Sequence, residues 1–358
     1  MKILIVGNKR SNHVRKWANS LVERDYDVMV VTNKVTTDDS VRFDPRVRVE
    51  TMRFGGFKSY FFNIPELRKL YFEYNPDIVN VHYISGFGMM TMLAGLRHVV
   101  LNCYGSDIFV APKRNSLSRW IIKRVLNKAD AVAATSKIMA EEAKLIMENP
   151  QKNVTVTPFG VDVNQFKQDE NRKYSERPII GIIKYLKPEY NIALLIKAFA
   201  IVKEKATIKP LLHIYGSGPL KEEFVSLTKA LGIYDDVTFF ETIPNTEVPK
   251  ALNTIDIFVN SSNVESFGVN IVEAMACGLP VVATPCPGPK EVIDNGVTGV
   301  VLKDWDSEEL AEELIKLVES PELRMQYGKA GREKVLREYD WSKNVETLIG
   351  VYHQVAKK

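Results

Sequence analysis

Residues 260–299 read NSSNVESFGVNIVEAMACGLPVVATPCPGPKEVIDNGVTG, and this stretch decides the fold. The β-branched run Ile255–Ser261 predicts a strand that feeds a loop holding Glu265, Ser266, Phe267 and Gly268. A helix is expected from Val269 onward, and PVVATP then predicts the next strand, so the order is that of a parallel βαβ unit. A helix starting directly after Gly268 presents unpaired amides and a partial positive charge, which suits a diphosphate. Gly268 has no side chain and lets an anion approach the amides of Val269 and Asn270 closely. The two carboxylates then take different tasks. Glu265, in the loop, is placed to accept hydrogen bonds from sugar hydroxyls. Glu273, one to two turns into the helix, is placed to take both hydroxyls of a ribose. A single glutamate of this kind is ordinarily a solvated acid at a helix edge, so the reading rests on the ordered set.

Outward from this unit, both halves of the chain repeat the alternation. In the first half the strand-like runs are Lys2–Val6, Asp27–Thr32, Val47–Met52, Asp77–Ile84, Val99–Tyr104, Ala131–Ser136 and Val154–Phe159. Helix-length periodic segments such as Ser11–Glu23 and Pro65–Tyr74 separate them. The pattern breaks into polar sequence around Val163–Pro178, read as a linker, and restarts with PIIGIIKYL, LLHIYG, VTFFET and IDIFVNSS. Two α/β domains with parallel sheets are expected in series, over 1–165 and 166–340, with a terminal helix over 341–358 that crosses back to the first domain or stays with the second.

The run E-S-F-G-x-x-x-x-E, followed by A-x-x-C-G-x-P-V-V-A-T and E-V-I-x-x-G-x-T-G, closely resembles the donor-site motif of glycosyltransferase family 4. The resemblance extends to VTVTPFGVDVNQF (Val154–Phe166), LHIYGSGPLKEEF and VTFFETIP. It implies the GT-B architecture, two Rossmann-like domains facing a central cleft, and retaining transfer from a nucleotide-diphosphate sugar. It also implies that Glu265 contacts the transferred sugar and Glu273 the ribose. The Gly216–Gly218 turn and the Thr242–Ile243 backbone would hold the base, although a glycine turn after a strand serves equally as a plain βα connection.

A leaving diphosphate needs positive charge that tells most as its bond to the sugar breaks. Family members usually place an Arg after the first strand of the second domain and a Lys a few residues on. Here the stretch is GIIKYLKPEYNI: Lys184 is the candidate for the first cation, Tyr190 stands in the place of the usual Lys, and Lys187 is its possible substitute. Two acidic triplets, Asp25–Tyr26–Asp27 and Asp304–Trp305–Asp306, are expected to be surface acids away from the phosphate loop, so no metal site is assigned. Neither metal nor other cofactor is expected, since amides and lysines would carry the charge.

On the acceptor side, the turn Gly7–His13 opens a helix and has one glycine where the family often has a pair. Gly7, Asn12 and His13 are the candidate residues there, with the helix surface as the alternative place for His13. NCYGSD (Asn102–Asp107) aligns with the family pattern H-G-x-D, with Tyr104 where many members have His, which leaves no obvious histidine near the reacting centre. A tyrosine hydroxyl still hydrogen-bonds a sugar. Asp107 either orients the acceptor hydroxyl or caps the next segment.

Composition bounds the partners. The 358 residues are 45% hydrophobic and 26% charged, as in a globular protein, with a net charge of +4. The apolar run at the N-terminus is too short for a secretory signal, and no stretch reaches membrane-spanning length, so a cytosolic protein is expected. Cys103, Cys277 and Cys286 lack metal spacing and read as reduced thiols. Lys113–Lys128 holds six basic residues and no acid. Its Leu117, Trp120, Ile121, Val125 and Leu126 fall at helical spacing, against Arg119, Lys123, Arg124 and Lys128. Such a helix fits an anionic membrane surface at the inner leaflet or a lipid-linked acceptor, or else is an ordinary domain helix. No stacking pattern accompanies it, so no nucleic acid is expected. Within the same fold, rival readings are a nucleotide-sugar epimerase, for which the ESFG loop offers no evident proton-shuttling acids, and a non-catalytic nucleotide-sugar-binding subunit.

Overall fold

Short β-branched runs become buried parallel strands in both halves of the chain. The computed structural model describes residues 1–35, 42–149, 151–169 and 177–356. The strands of the first half are β1 (Lys2–Val6), β2 (Asp27–Lys34), β3 (Arg48–Gly55), β4 (Ile78–His82), β5 (Val99–Cys103), β6 (Ala131–Ala134) and β7 (Val154–Val156). Those of the second are β8 (Ile179–Ile183), β9 (Leu211–Tyr215), β10 (Val237–Phe240), β11 (Ile257–Asn260), β12 (Val281–Ala283) and β13 (Gly299–Val301). Every strand pairing is parallel. Ile3, Leu4, Ile5 and Val6 are all fully buried, as expected of a strand covered on both faces. Side-chain caps start several of the intervening helices. Asn115 accepts from the Ser118 amide at 2.8 Å, and Ser136 from the Met139 amide at 3.1 Å.

The seven-stranded sheet runs β3-β2-β1-β4-β5-β6-β7, and the six-stranded sheet β10-β9-β8-β11-β12-β13. Each is doubly wound, and its strand order reverses beside its first strand: between β1 and β4 in one, between β8 and β11 in the other. In open α/β sheets such a reversal is where loops at the carboxyl ends of the strands diverge and ligands usually bind.

The chain divides into two compact units, Met1–Pro158 with Lys343–Lys358, and Phe159–Ser342. Residues 159–165, counted from sequence with the first domain, pack with the second unit. The Val161 amide bonds the Tyr339 carbonyl at 2.9 Å, the Trp341 amide bonds Val161 at 3.0 Å, and Phe166 is buried in the second unit's core. Residues 170–176 of the expected linker lie outside the described residues. The helix Trp341–Ala356 contributes to the first unit, where Glu346 pairs with Arg24 at 2.6 Å and Asn344 donates to the Pro158 carbonyl.

Candidate functional site

In the second unit, the loop from β11 and the end of β8 meet at the switch point. The helix Val269–Ala276 begins after Gly268, whose φ of +90° is the left-handed conformation that favours glycine. A Cβ there would lie 2.8 Å from the Ile271 side chain. Phe267 turns inward, its ring edge-on to Phe159 and Tyr339, so what it offers a ligand is its backbone. Glu265, Ser266, Val269, Asn270 and Glu273 are all half-buried. Asn270 receives the Asn260 amide at 3.2 Å. Lys184, just past β8, places its ammonium 2.7 Å from the Glu265 carboxylate, with both side chains largely buried. Lys184 and Lys187 also lie over the Tyr190 ring, at 4.3 and 4.8 Å from its centroid. Tyr190 therefore gathers both lysines by its ring face, in the place where the family pattern has a cation of its own.

The glycine turn after β9 has a packing reason. A Cβ on Gly216 would sit 1.9 Å from the Lys184 carbonyl, and one on Gly218 2.3 Å from that of Leu186. Glycine lets this turn lie directly against the backbone that carries Lys184, and the Leu186 amide bonds Ser217 there at 2.8 Å. Ser217 in turn binds the Thr242 hydroxyl at 2.6 Å, while Ile243 packs on the core. Sequence reasoning missed Gly288. Its amide bonds the Glu265 carbonyl at 3.0 Å, and a Cβ would come within 2.5 Å of the Phe267 backbone, so it supports the whole loop from below. The triplet Asp304–Trp305–Asp306 stands nearer this loop than expected, because the Trp305 indole donates to the Ser262 carbonyl at 3.1 Å. Its carboxylates are engaged locally: Asp306 caps the Glu308 amide and Asp304 accepts from the Trp305 amide.

The first unit's switch point gathers different chemistry. Gly7 is buried and close-packed: a Cβ would lie 2.9 Å from Val14 and 3.2 Å from the Cβ of His82. Asn12 is exposed at the start of its helix, while His13 stacks on Tyr104 at 5.7 Å. Two histidines thus flank Tyr104, of which the sequence singles out His13 alone. On the other side His82, the last residue of β4, contacts the Tyr104 hydroxyl at 2.6 Å. A buried chain of bonds fixes this contact. Asn102 donates to the Asn80 carbonyl oxygen, so the Asn80 amide nitrogen faces His82 Nε2, at 3.2 Å. An amide nitrogen only donates, so Nε2 accepts, and the proton sits on Nδ1, directed at Tyr104. Burial, reinforced by the nearby His13, pushes the His82 pKa down to about 3, and burial beside Lys16 takes His13 down to about 4. Both rings are neutral at physiological pH. The Tyr104 phenol, with the Trp17 indole also bonded to it, is held well above its ordinary range by burial.

Asp107 is buried, and its carboxylate accepts from the amides of Ile84 at 3.1 Å and Tyr104 at 3.4 Å. Burial carries its pKa from 3.8 up to about 7, against those two bonds. In this arrangement it ties the loop after β4 to the loop after β5, and so holds Tyr104 in place.

Helix Ser116–Lys128 differs from the sequence reading. Ile122, Val125 and Leu126 form its buried face, but Leu117 and Trp120 point to solvent, with the Arg124 guanidinium 5.0 Å from the Trp120 ring. The spacing groups Leu117 and Trp120 with the inner arc; the arc that meets the core is narrower, formed by Ile122, Val125 and Leu126 with Ile121 partly buried at its side.

Two family models match the chain, one described as Glycosyl transferase 4-like over residues 2–136 and one as Glycosyl transferases group 1 over residues 163–334. The chain is 29% identical over 296 residues to the N-acetyl-alpha-D-glucosaminyl L-malate synthase of Bacillus anthracis, covering 79% of this chain and 76% of that protein. It is 26% identical over 269 residues to a GDP-mannose-dependent alpha-(1-6)-phosphatidylinositol monomannoside mannosyltransferase of Mycolicibacterium smegmatis, covering 71% and 69%. The solved structure of Anabaena Alr3699/HepE in complex with UDP and glucose matches with a TM-score of 0.77 at 17% identity, over 99% of this chain and all of that one. That likeness is one of fold, GT-B.

Proposed function

The chain belongs to glycosyltransferase family 4, a sugar-nucleotide-dependent transferase of the GT-B fold, and from that premise we propose that it is a retaining hexosyltransferase acting in cell-envelope glycan assembly. The donor is a UDP- or GDP-linked hexose, and the acceptor a hydroxyl of a glycan or a lipid-linked saccharide. Relatives named for GDP-mannose, and a neighbour holding UDP and glucose, support that donor class. The transferase works at the cytosolic face of the membrane, with the basic helix Ser116–Lys128 towards anionic lipid.

The ion pair of Lys184 with Glu265, 2.7 Å apart beside a helix N-terminus, carries the reading. A diphosphate at the amides of Val269 and Asn270 competes with Glu265 for Lys184. As the lysine turns to phosphate, the freed carboxylate accepts sugar hydroxyls, so the pair marks where phosphate ends and sugar begins. Glu273 takes the ribose hydroxyls, and the turn Gly216–Gly218 with Thr242 and Ile243 borders the base. The C1–O bond then breaks with its electron pair leaving on the phosphate oxygen, which Lys184 stabilises with help from Lys187. The acceptor oxygen bonds C1 on the same face, and its proton passes to that departing oxygen. No enzyme base is demanded, and no divalent metal, because lysines and amides supply the positive charge.

Transfer assays pairing UDP- and GDP-hexoses with lipid-linked and free glycan acceptors, run with and without a chelator, test this. Loss of transfer on chelation overturns the metal-free mechanism. A purified chain that binds donor but neither transfers nor hydrolyses it is the non-catalytic subunit instead.

A further inference from the structure

The segment RFGGFKSYFFN (Arg53–Asn63) turns most of its aromatic rings to solvent. Phe57 is 79% exposed, Phe62 59%, Phe61 48% and Phe54 42%. Slack backbone is not the cause, because the opposite side of the turn is firmly anchored. Ser59 and Asn63 are completely buried. The Asn63 side chain accepts from the Phe54 amide at 3.1 Å and donates to the Phe54 carbonyl at 3.0 Å and to Asn33 at 2.8 Å. Ser59 closes the turn onto the Gly56 carbonyl. Tyr60 is the one ring that turns inward. It meets Phe87 edge-on at 5.3 Å and packs so tightly on Gly86 that a Cβ there would lie 2.5 Å from the ring. The phenylalanines are thus presented outward by a rigid frame.

Water-facing apolar groups of this density are uncommon on monomeric proteins and mark a surface that is covered in use. The surrounding charge says by what. Arg53 and Lys58 lie within the turn, and Arg68 and Lys69 follow on the next helix, Ile64–Tyr74, which also exposes Phe72 at 65%. Two acids lie between residues 51 and 74: Glu66, whose carboxylate is bound to the Arg53 amide, and Glu73, which pairs with Lys69 at 3.6 Å, so the turn and helix together carry an excess of two positive charges. Aromatic rings held among cations match the interface of an anionic bilayer, where the rings enter the acyl boundary and the cations meet headgroup phosphates. Among the described residues no helix is long and apolar enough to cross a membrane, so the contact is one of docking.

We propose that the turn Arg53–Phe62 is a membrane-insertion element that seats Phe57, Phe61 and Phe62 in the interface of an anionic bilayer. It deepens the membrane reading made for the basic helix and rests on that reading for the lipid partner, but on separate residues. It also ties lipid to chemistry within the first unit. Gly86, on which Tyr60 packs, belongs to the same loop as Ile84, whose amide Asp107 binds beside Tyr104.

The test uses the full chain with vesicles of phosphatidylcholine alone and of phosphatidylcholine carrying about 30% phosphatidylglycerol, followed by co-sedimentation. Wild type is expected to bind the anionic vesicles, and Phe57→Ser/Phe61→Ser to lose affinity by about tenfold or more. Arg53→Glu/Lys58→Glu should erase the preference for phosphatidylglycerol. In a Phe57→Trp variant, added vesicles should shift the indole emission to the blue. Equal vesicle binding by wild type and the serine variant, or an indole that stays in water while the chain is bound, overturns the proposal. A wild-type dimer that the serine substitutions dissociate, without vesicle binding by either, replaces it with self-association. Transfer to a soluble acceptor should be unchanged in the serine variant. Vesicle binding by a chain that transfers no sugar refutes the transferase reading and leaves the insertion element standing.

Discussion

The two switch points share a topology and almost nothing else. Around β8 and β11 the chemistry is ionic and half-buried: Lys184 against Glu265, Lys187 over Tyr190, Glu273 a turn into a helix. Around β1 and β4 it is uncharged at its histidines and mostly buried: His82 bonded to Tyr104, half-buried His13 stacked on it, Asp107 below. The contrast follows from what each must meet. A diphosphate carries its charge in, so its site does well to keep countercharge in reach of water until the ligand arrives. A hydroxyl group brings no charge, and a site for it gains from donors and acceptors held rigid out of water. Substitutions in the ionic set are therefore expected to act on binding and turnover, and those in the neutral set on stability.

The largest effect expected is at Asp107, through pH. Its carboxyl is carried from 3.8 in the unfolded chain to about 7 in the folded one, so folding favours the protonated form. The cost of ionising it is absent below about pH 4, grows as pH rises, and is complete above 7, where it is on the order of 4 kcal/mol at about 1.36 kcal/mol per pH unit. His82 and His13 slope the other way. Their folded values are lowered, so their contribution is present above 6.5 and lost as pH falls towards 3 or 4. The difference between Asp107→Asn and wild type isolates the first slope. In urea unfolding the variant should gain on wild type steadily from pH 5 to about pH 7 and level off above it, and a constant difference across that range would show that Asp107 does not titrate there.

Lys184→Ala comes next and acts mainly on activity. Loss of one preorganised donor to a departing oxyanion lowers turnover by roughly 10²-fold or more, with Lys184→Arg recovering part of it. Steady-state rates should fall by far more than stability does: unfolding in urea should show only the modest loss that follows from leaving Glu265 without its partner in a half-buried site open to the ligand. A large fall in stability with modest kinetic change would erase the contrast between the two sites.

How far these sites were legible in the sequence depends on how local their causes are. The loop Glu265–Gly268 and the helix carrying Glu273 are consecutive, so their order and spacing state the arrangement. The strands were legible because runs such as KILIV are apolar on both faces. His82 was not, although it closes the strand-like run IVNVH. What makes it matter is that β4 pairs with β1, Ile3 opposite Ile78, and lies beside β5, which brings Tyr104 to it. Gly288 under Phe267, and Trp305 against Ser262, are likewise contacts between distant segments. For the helix Ser116–Lys128, periodicity defined an apolar arc, but how much of the arc is covered depends on neighbours that the helix itself does not encode.

His82→Ala tests the neutral set. It leaves the Asn80 amide and the Tyr104 hydroxyl without a shared partner in a dry interior and opens a cavity, which together should cost roughly 2–3 kcal/mol of stability. His82→Gln, which can both donate and accept, should restore part of it. If His82→Ala unfolds at the wild-type urea concentration, the relay is not what holds Tyr104.

The smallest effect separates the two glutamates of the ionic set. Glu273 is assigned to the ribose, which every nucleoside diphosphate carries, and Glu265 to the sugar, which only the intact donor carries. Glu273→Ala should therefore weaken nucleoside diphosphate and nucleotide sugar alike, by about tenfold, as expected when hydrogen bonds to a carboxylate are lost. Glu265→Ala should spare or tighten the plain diphosphate, since Lys184 then has no competing carboxylate at 2.7 Å, while affinity for the sugar-bearing donor falls. Calorimetric titration of both variants with both ligands gives four affinities, and the assignment predicts a crossed pattern among them. If both variants weaken both ligands equally, the carboxylates act through the shape of the loop and not through separate contacts, and the border between phosphate and sugar drawn at the Lys184–Glu265 pair is lost.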